Sequence, residues 1–268
     1  MDYFKEIDRM QKEFLKNPRE SIIQLIEQEN NSIKKFSEQV IFQGKPERAK
    51  LFLEFHKEYA LLIHKMWRAR DIINGGSLKD DTERVLMSQR IKEQTEVIED
   101  YLKTKGTKET NALAMARVYA SSLESFWKML KKVVILVGLS PENKHLNIPE
   151  LKNKIVKLED KYKIRLPKIK EVIGSGLRNS VGHENTYFSP PKTVVFLDKK
   201  GISQREVARL TTDELYDMLV DINIITLAMV MVENTAVISV LEPFLKLSDK
   251  ELIEYSKTGI VTPEMEKK

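Results

Sequence analysis

The sequence predicts a mainly α-helical protein, an antiparallel helical bundle with one short β-hairpin in its C-terminal half. Three observations favour this class. The 268 residues include only 10 Gly and 9 Pro, and these fall between periodic segments, because both residues destabilise helix interiors. Apolar residues recur at helical spacing over most of the chain. One stretch, residues 193–197, has the β-branched and aromatic residues typical of a strand.

Helical periodicity predicts four helices in the first half of the chain, which shows no strand pattern. After them, residues 103–110 are polar and unpatterned, which predicts a hinge. We therefore divide the chain into a helical domain of unknown role, residues 1–105, and a second domain, residues 106–268. The first predicted helix ends before Asn17-Pro18, and the second ends at Gly44. The third runs from Pro46 to residues 74–76, and the fourth runs from residues 80–82 to about Lys103.

The second domain has a more varied pattern, since helices flank its one strand-like stretch. Thr211 and Glu214 have the spacing of a capping box, which predicts the start of a long helix. In order, the predicted elements are a long amphipathic helix ending at Gly138, a short helix after Pro149, another over residues 167–173, strands at residues 193–197 and 202–207 joined by a turn at 198–201, a long helix over residues 213–241, and a tail helix opened by Ser248 and Glu251.

The composition excludes several kinds of site. The chain has no cysteine, which removes disulfides, thiolate nucleophiles, cysteine-ligated zinc sites and iron–sulfur clusters, and fits a reducing, cytoplasmic setting. Its most apolar run, residues 222–232, is shorter than the roughly twenty residues of a membrane span, and no signal peptide is visible. No glycine pattern has P-loop or Rossmann spacing. We expect a soluble protein with no membrane partner, no cofactor and no metal.

Histidines and carboxylates are the remaining candidates for chemistry. His56 and His64 lie eight residues apart on one predicted helix, too far apart to share a metal, and are interpreted as structural or surface residues. His145 lies in a polar turn and is interpreted as a solvated loop residue. The acids Glu54, Glu58 and Asp71 lie on the same predicted helix as the first two histidines and are interpreted as a solvated face, with a carboxylate site as the alternative.

The fourth histidine, His183, differs because Arg178 and Asn179 precede it closely, between flanking glycines. An imidazole titrates near neutrality, and a guanidinium can donate two parallel hydrogen bonds to a phosphate. Together they can cleave RNA without a metal: one moves a proton at the 2′-hydroxyl or the leaving oxygen, and the other stabilises the charged phosphorane. Capping and packing are the alternative role of these three residues.

A basic stretch leads into this cluster. Residues 151–178 contain nine basic and three acidic residues, an excess of six positive charges, whereas the whole chain has a formal net charge of +5. Such a stretch can bind a polyanion by releasing counterions, and an aromatic ring can stack on a base. A solvated lysine-rich face is the alternative. The predicted RNA-binding residues are Lys161, Lys163, Arg165, Lys168, Lys170 and Tyr187.

The string Leu177-Arg178-Asn179-Ser-Val-Gly-His183 resembles the Arg-polar-xxx-His signature of the HEPN superfamily. The long helix before it, and the hairpin and long helix after it, resemble the context of that motif over about residues 110–245. The resemblance implies a four- or five-helix domain that forms a homodimer, in which two motif copies make one metal-independent endoribonuclease site. It also implies Arg178 and His183 as the catalytic pair, Asn179 as the orienting residue, and a product with a 2′,3′-cyclic phosphate.

Three functions remain open at this point. The first is an HEPN endoribonuclease that cleaves RNA as a cytoplasmic homodimer, acting as a toxin or in phage defence. The second is a non-catalytic HEPN-type module that binds RNA or another protein. The third is a toxin whose activity is masked by an antitoxin bound to the N-terminal helices. One HEPN subgroup is modified on a tyrosine two residues after the histidine, but that position is Asn185 here.

Overall fold

The structure, a computed structural model, describes residues 12–41, 45–68, 82–104, 108–140, 146–173, 186–200 and 203–258. The chain divides into two compact units, one formed by Met1–Gln39 with Met231–Lys268 and the other by Val40–Val230. The elements are α1 (Pro18–Ile41), α2 (Pro46–Arg68), α3 (Thr82–Thr104), α4 (Glu109–Leu136), α5 (Ile148–Tyr162), α6 (Pro167–Ile173), β1 (Thr186–Ser189), β2 (Thr193–Lys200), β3 (Ser203–Thr211), α7 (Thr212–Leu241), a 3₁₀ helix (Glu242–Lys246) and α8 (Asp249–Thr258).

These elements confirm the predicted mainly α-helical class. Pro46 and Pro167 occupy the first positions of α2 and α6. An N–H at that position would have no partner within the helix, so its absence from proline costs no hydrogen bond. The predicted capping box at the start of α7 is formed: the Thr211 N–H donates to the Glu214 carboxylate at 2.8 Å, and the Glu214 N–H donates to Thr211 Oγ1 at 3.1 Å. Local spacing therefore defines where these helices begin.

The sheet is antiparallel, with strand order β1-β2-β3, where the sequence predicted two strands. β1 was not predicted because it has only four residues and is followed by Pro190-Pro191, a dipeptide typical of a loop. The turn predicted at residues 198–201 is wrong in part, since β2 continues to Lys200 and Asp198 pairs with Arg205. Continued pairing satisfies the backbone groups of these residues, and this outweighs their turn composition.

The core of the second unit surrounds α4. Helices α3 and α5 and strands β1 and β2 all pack against it. The Phe126 ring of α4 lies 5.9 Å from the Phe55 ring of α2, measured between centroids, and both side chains are fully buried. On the sheet, Val194 and Phe196 are also fully buried, so the middle of β2 belongs to this core.

A buried polar network joins three helices of the second unit. Gln94 of α3 donates from Nε2 to Ser122 Oγ of α4 at 2.7 Å and to Thr226 Oγ1 of α7 at 3.4 Å. Its Oε1 accepts from Asn223 Nδ2 of α7 at 2.8 Å. Because buried polar groups are costly unless they are paired, this network favours one arrangement of the three helices.

The first unit has a smaller core. Ile22 of α1 is buried with Leu247 and Leu252, which lie near the other end of the chain. Phe14, Ile26, Phe244 and Leu245 pack around these three residues. Apolar contacts therefore tie the two chain ends into one unit.

The boundary predicted at residue 105 falls inside the second unit. Helices α3 and α4, on either side of it, pack side by side, and Asn111 donates from Nδ2 to Asp100 Oδ2 at 2.7 Å.

The apolar part of α7 is longer than the apolar run found in the sequence at residues 222–232. Residues Thr212–Ala236 form a helix long and apolar enough to span a membrane, but 72% of its most apolar 18-residue window is buried. Such burial is typical of a core helix in a soluble protein.

Candidate functional site

The predicted catalytic residues Arg178, Asn179 and His183 lie in residues 174–185, outside the described residues. The structure does describe both flanks of that segment. It begins directly after Ile173, the last residue of α6, and it ends directly before Thr186, the first residue of β1. Contacts among the described residues hold both flanks.

Helix α6 is held at its start by Glu58 of α2. The two carboxylate oxygens of Glu58 accept the N–H groups of Lys168 and Ile169, each at 3.1 Å. Burial raises the pKa of the Glu58 carboxyl, and the two backbone bonds and the Lys168 charge oppose that rise. The first N–H groups of a helix have no intrahelical partner, so this carboxylate supplies what α6 lacks.

A second carboxylate, Glu159 of α5, holds the same helix and is almost completely buried. It accepts the Leu166 N–H at 2.6 Å and pairs with the Lys170 ammonium at 2.9 Å. Burial acts to raise the pKa of Glu159, but the bonds from Lys170 and Leu166 outweigh it and the pKa is lowered. We call Glu58 and Glu159 the carboxylate clamp of α6.

The other flank, β1, is held by the sheet and by α4. Tyr187 lies opposite Val195, which lies opposite Arg209, so the three share one face of the sheet. Tyr187 and Arg209 are exposed on either side of the fully buried Val195. The Arg209 guanidinium forms a fork with the Glu206 carboxylate at 2.9 and 3.1 Å and also interacts with Tyr187. This face therefore presents an aromatic ring, Tyr187, four residues after His183 in the sequence, with the cation Arg209 beside it.

Three of the predicted RNA-binding lysines have internal partners. Lys161 donates to the Val137 carbonyl at 3.2 Å, beyond the C-terminus of α4, where a cation is favourable. Lys168 forms ion pairs with Glu54 at 3.7 Å and Glu171 at 3.0 Å. Lys170 is the partner of the buried Glu159 in the clamp. These contacts give part of the basic stretch a role in packing.

The other predicted RNA-binding cations face solvent. Lys163 follows α5 in the left-handed backbone region, with φ 54°, and its side chain is exposed. Arg165 is exposed two residues later. In the described part of the chain neither forms an ion pair with a carboxylate, so both remain available to a phosphate.

Three residues of this region, Glu58, Glu159 and Arg209, were not assigned from the sequence, and Glu159 was only counted among the acids of the basic stretch. Glu58 was interpreted as part of a solvated face, although α6 begins after Leu166, which has no side-chain acceptor. A helix start without a capping residue is a signal that its N–H groups bond elsewhere. Arg209 was not selected, because its proximity to Tyr187 depends on a strand that was not predicted.

His56 and His64 both lie on α2, the helix that carries Glu58. His56 is half-buried beside Phe52, with ring centroids 5.6 Å apart, and burial lowers its pKa. His64 is exposed, and His145 lies outside the described residues. Within the ranges that the structure describes, no three His, Asp or Glu side chains group as metal ligands do.

Comparison of the chain with protein-family models, with curated proteins and with solved structures finds no match.

Proposed function

We propose that this chain is a metal-independent endoribonuclease in which Arg178 and His183 are the catalytic pair. The observation that carries the proposal is the Arg178-Asn179-xxx-His183 motif, which resembles that of the HEPN superfamily. The anchoring of both flanks supports it: the carboxylate clamp holds α6 before the motif, and sheet pairing holds β1 after it. A catalytic segment needs such fixed ends, because catalysis depends on orientation.

The reaction is attack of an RNA 2′-hydroxyl on the adjacent phosphorus. The 2′-oxygen–phosphorus bond forms, the phosphorus–5′-oxygen bond breaks, and the products are a 2′,3′-cyclic phosphate and a 5′-hydroxyl. His183 takes the proton of the 2′-hydroxyl or gives one to the 5′-oxygen, and Arg178 stabilises the charge of the phosphorane. Asn179 orients the pair. In a homodimer, two motif copies supply both proton transfers.

Binding of the RNA is assigned to exposed groups that precede and follow the motif in the sequence. Lys163 and Arg165 offer two solvent-facing cations to the backbone, and Tyr187 offers a ring on which a base can stack. The ion pairs of Lys168 and Lys170 make them weaker candidates, since a phosphate would have to displace a carboxylate.

The deciding experiment is cleavage of a mixture of defined RNAs in EDTA. Wild-type protein is compared with Arg178→Ala and His183→Ala, and with two matched controls that remove an exposed residue of the same type, Arg117→Ala and His64→Ala. We expect cleavage by the wild type and both controls, a 2′,3′-cyclic phosphate end, and no detectable cleavage by the two motif variants. Cleavage that disappears in EDTA, or that survives both motif substitutions, would refute the proposal.

Oligomeric state provides a separate check. The composite site requires two copies of the motif, so light scattering at micromolar concentration is expected to give a homodimer. A strict monomer that binds RNA without cutting it would favour the non-catalytic alternative. Toxicity on expression that depends on His183 and is relieved by a co-expressed neighbouring gene product would add an antitoxin partner.

A further inference from the structure

We propose that the exposed face of the sheet is a stacking platform for unpaired bases, formed by the Tyr187 ring and the Arg209 guanidinium. The proposal rests on the proposed function for its class of ligand, RNA, and narrows that class to single-stranded RNA. Arg209 and Glu206 of β3 thereby join Tyr187 of β1 as RNA-binding residues.

The centre of this face is a row of three residues across the sheet. Tyr187 of β1 lies opposite Val195 of β2, which lies opposite Arg209 of β3. Neighbouring strands lie about 4.8 Å apart, so β1 and β3 are separated by about 10 Å at the backbone. The Arg209 guanidinium nevertheless interacts with Tyr187, so its side chain crosses Val195. This crossing agrees with the complete burial of Val195 between neighbours that are 45% and 53% exposed.

A β-bulge brings Glu206 to the same face of the sheet. The pairing of β2 with β3 shifts by one residue, so that Leu197 lies opposite Glu206 and Val207 is the extra residue of β3. In a regular strand, residues 206 and 209 would point to opposite faces, because side chains alternate. With the bulge, the Glu206 carboxylate accepts two bonds from the Arg209 guanidinium, at 2.9 and 3.1 Å. Bulges that redirect a side chain in this way are frequent beside functional sites.

The pairing with Glu206 suits Arg209 to a base rather than to a phosphate. Two parallel bonds fix the plane of the guanidinium and compensate its charge, so a phosphate would have to displace the carboxylate. The flat face of a guanidinium can still stack on a base, as an aromatic ring does. Because Glu206 and Tyr187 hold the guanidinium before RNA binds, less conformational entropy is lost on binding.

Single-stranded RNA fits this face better than a duplex or a protein partner does. The bases of a duplex are stacked inside the helix, so their faces cannot reach a platform on a protein surface. Residues 186–211 contain five basic and two acidic residues, an excess of three positive charges, which complements a phosphate backbone. Among the described residues of the sheet, Tyr187 and Val207 are the only exposed large apolar side chains, too few for the apolar centre of a protein interface.

The test measures binding of a short RNA single strand that carries 2′-O-methyl groups, and of the duplex of the same sequence. Such a strand cannot be cleaved by attack of a 2′-hydroxyl, so binding is measured apart from catalysis. Fluorescence anisotropy over a range of salt concentrations compares the full-length wild type with Tyr187→Ala, Tyr187→Phe and Arg209→Lys. Arg117→Lys, at an exposed position of α4, is the matched control for the last variant, and circular dichroism checks folding.

We expect Tyr187→Ala to weaken binding of the single strand about 10-fold, the effect of one lost base stack. Tyr187→Phe keeps the ring and is expected to keep most of the affinity. Arg209→Lys keeps the charge but loses the plane, so a loss of about fivefold is expected, whereas the Arg117→Lys control binds like the wild type. The salt dependence is expected to stay unchanged, since no phosphate contact is lost. The duplex is expected to bind more weakly and to lose nothing in Tyr187→Ala.

Affinity of folded Tyr187→Ala within about twofold of the wild type would overturn the proposal, as would an equal loss for strand and duplex. So would wild-type affinity in Arg209→Lys, because lysine can replace arginine in a phosphate contact but not in a stack. That variant decides alone if Tyr187→Ala does not fold. A wild type that does not bind the strand also overturns the proposal and leaves the face to a protein partner. The proposed function fails separately: a protein that binds the strand as expected but cuts no natural RNA refutes the nuclease and retains the platform.

Discussion

Replacing Glu159 by Gln isolates the charge of one carboxylate in the clamp. The side chain is 3% exposed and holds the Leu166 N–H at 2.6 Å and the Lys170 ammonium at 2.9 Å. A glutamine of nearly the same volume keeps a carbonyl oxygen for the Leu166 N–H but loses the charge that pairs with Lys170. A hydrogen bond to a charged group contributes about 1.5–3 kcal/mol. Lys170 is 37% exposed and can turn to water, so we expect a loss of about 2 kcal/mol at pH 7.

The pH dependence of this loss has a definite sign. The folded protein lowers the pKa of Glu159, so its carboxylate contributes stability that is fully present above the unfolded value of about 4.3. That contribution is lost as the pH falls through the lower folded pKa. The glutamine of the variant does not titrate, so the difference between wild type and variant is largest at neutral pH and shrinks below about pH 4.3.

Urea unfolding at pH 7.0, 5.5 and 4.0, followed by tryptophan fluorescence, measures this difference. Glu124→Gln is the matched control, because Glu124 pairs with Lys128 at 3.4 Å on an exposed helix surface and its loss is expected to cost less than about 0.5 kcal/mol. A difference for Glu159→Gln that is the same at all three pH values, or no larger than that of the control, would show that the carboxylate charge does not hold α6.

Two further predictions concern the polar network and the exposed cations. Gln94→Leu leaves the buried Asn223 amide without its acceptor, so we expect it to lower the free energy of unfolding in urea by about 1–3 kcal/mol. A decrease no larger than that caused by Gln89→Leu, at an exposed position, would contradict this prediction. The double variant Lys163→Ala/Arg165→Ala is expected to reduce the slope of log affinity against log salt for single-stranded RNA by about 1.4. A reduction of about 0.7 by Lys168→Ala alone, the value for one phosphate contact, would contradict the division of the lysines, since Lys168 is paired with carboxylates.

The parts of the fold that could be predicted from the sequence are those specified within a few residues. The capping box of Thr211 and Glu214 spans three residues and forms as predicted. Pro167 begins α6 because the ring fixes a helical φ and its missing N–H is not needed there. Such signals are local, and a single sequence contains all of the information that they require.

The contacts that hold α6 and β1 join residues far apart in the sequence, and no local sequence pattern comparable to a capping box marks them. Glu58 meets its backbone partners Lys168 and Ile169 across 110 and 111 residues, and nothing near Glu58 in the sequence distinguishes it from a solvated acid. Lys161 meets the end of α4 across 24 residues, and its neighbours made it part of a basic stretch. β1 is a strand because β2 supplies its partners, not because four residues followed by two prolines favour one.

The basic residues of the stretch 151–178 therefore fall into two groups, one with structural contacts and one that faces solvent. Lys161, Lys168 and Lys170 stabilise helix ends and carboxylates, and such contacts would be present in a protein that never meets RNA. Lys163 and Arg165 are exposed and form no ion pair with a described carboxylate, although the Arg165 charge helps to lower the pKa of Glu159. A loss of RNA binding after substitution of the first three would follow from a displaced α6 as readily as from a lost phosphate contact. Only the second pair, with folding unchanged, distinguishes an RNA-binding surface from a lysine-rich structural one.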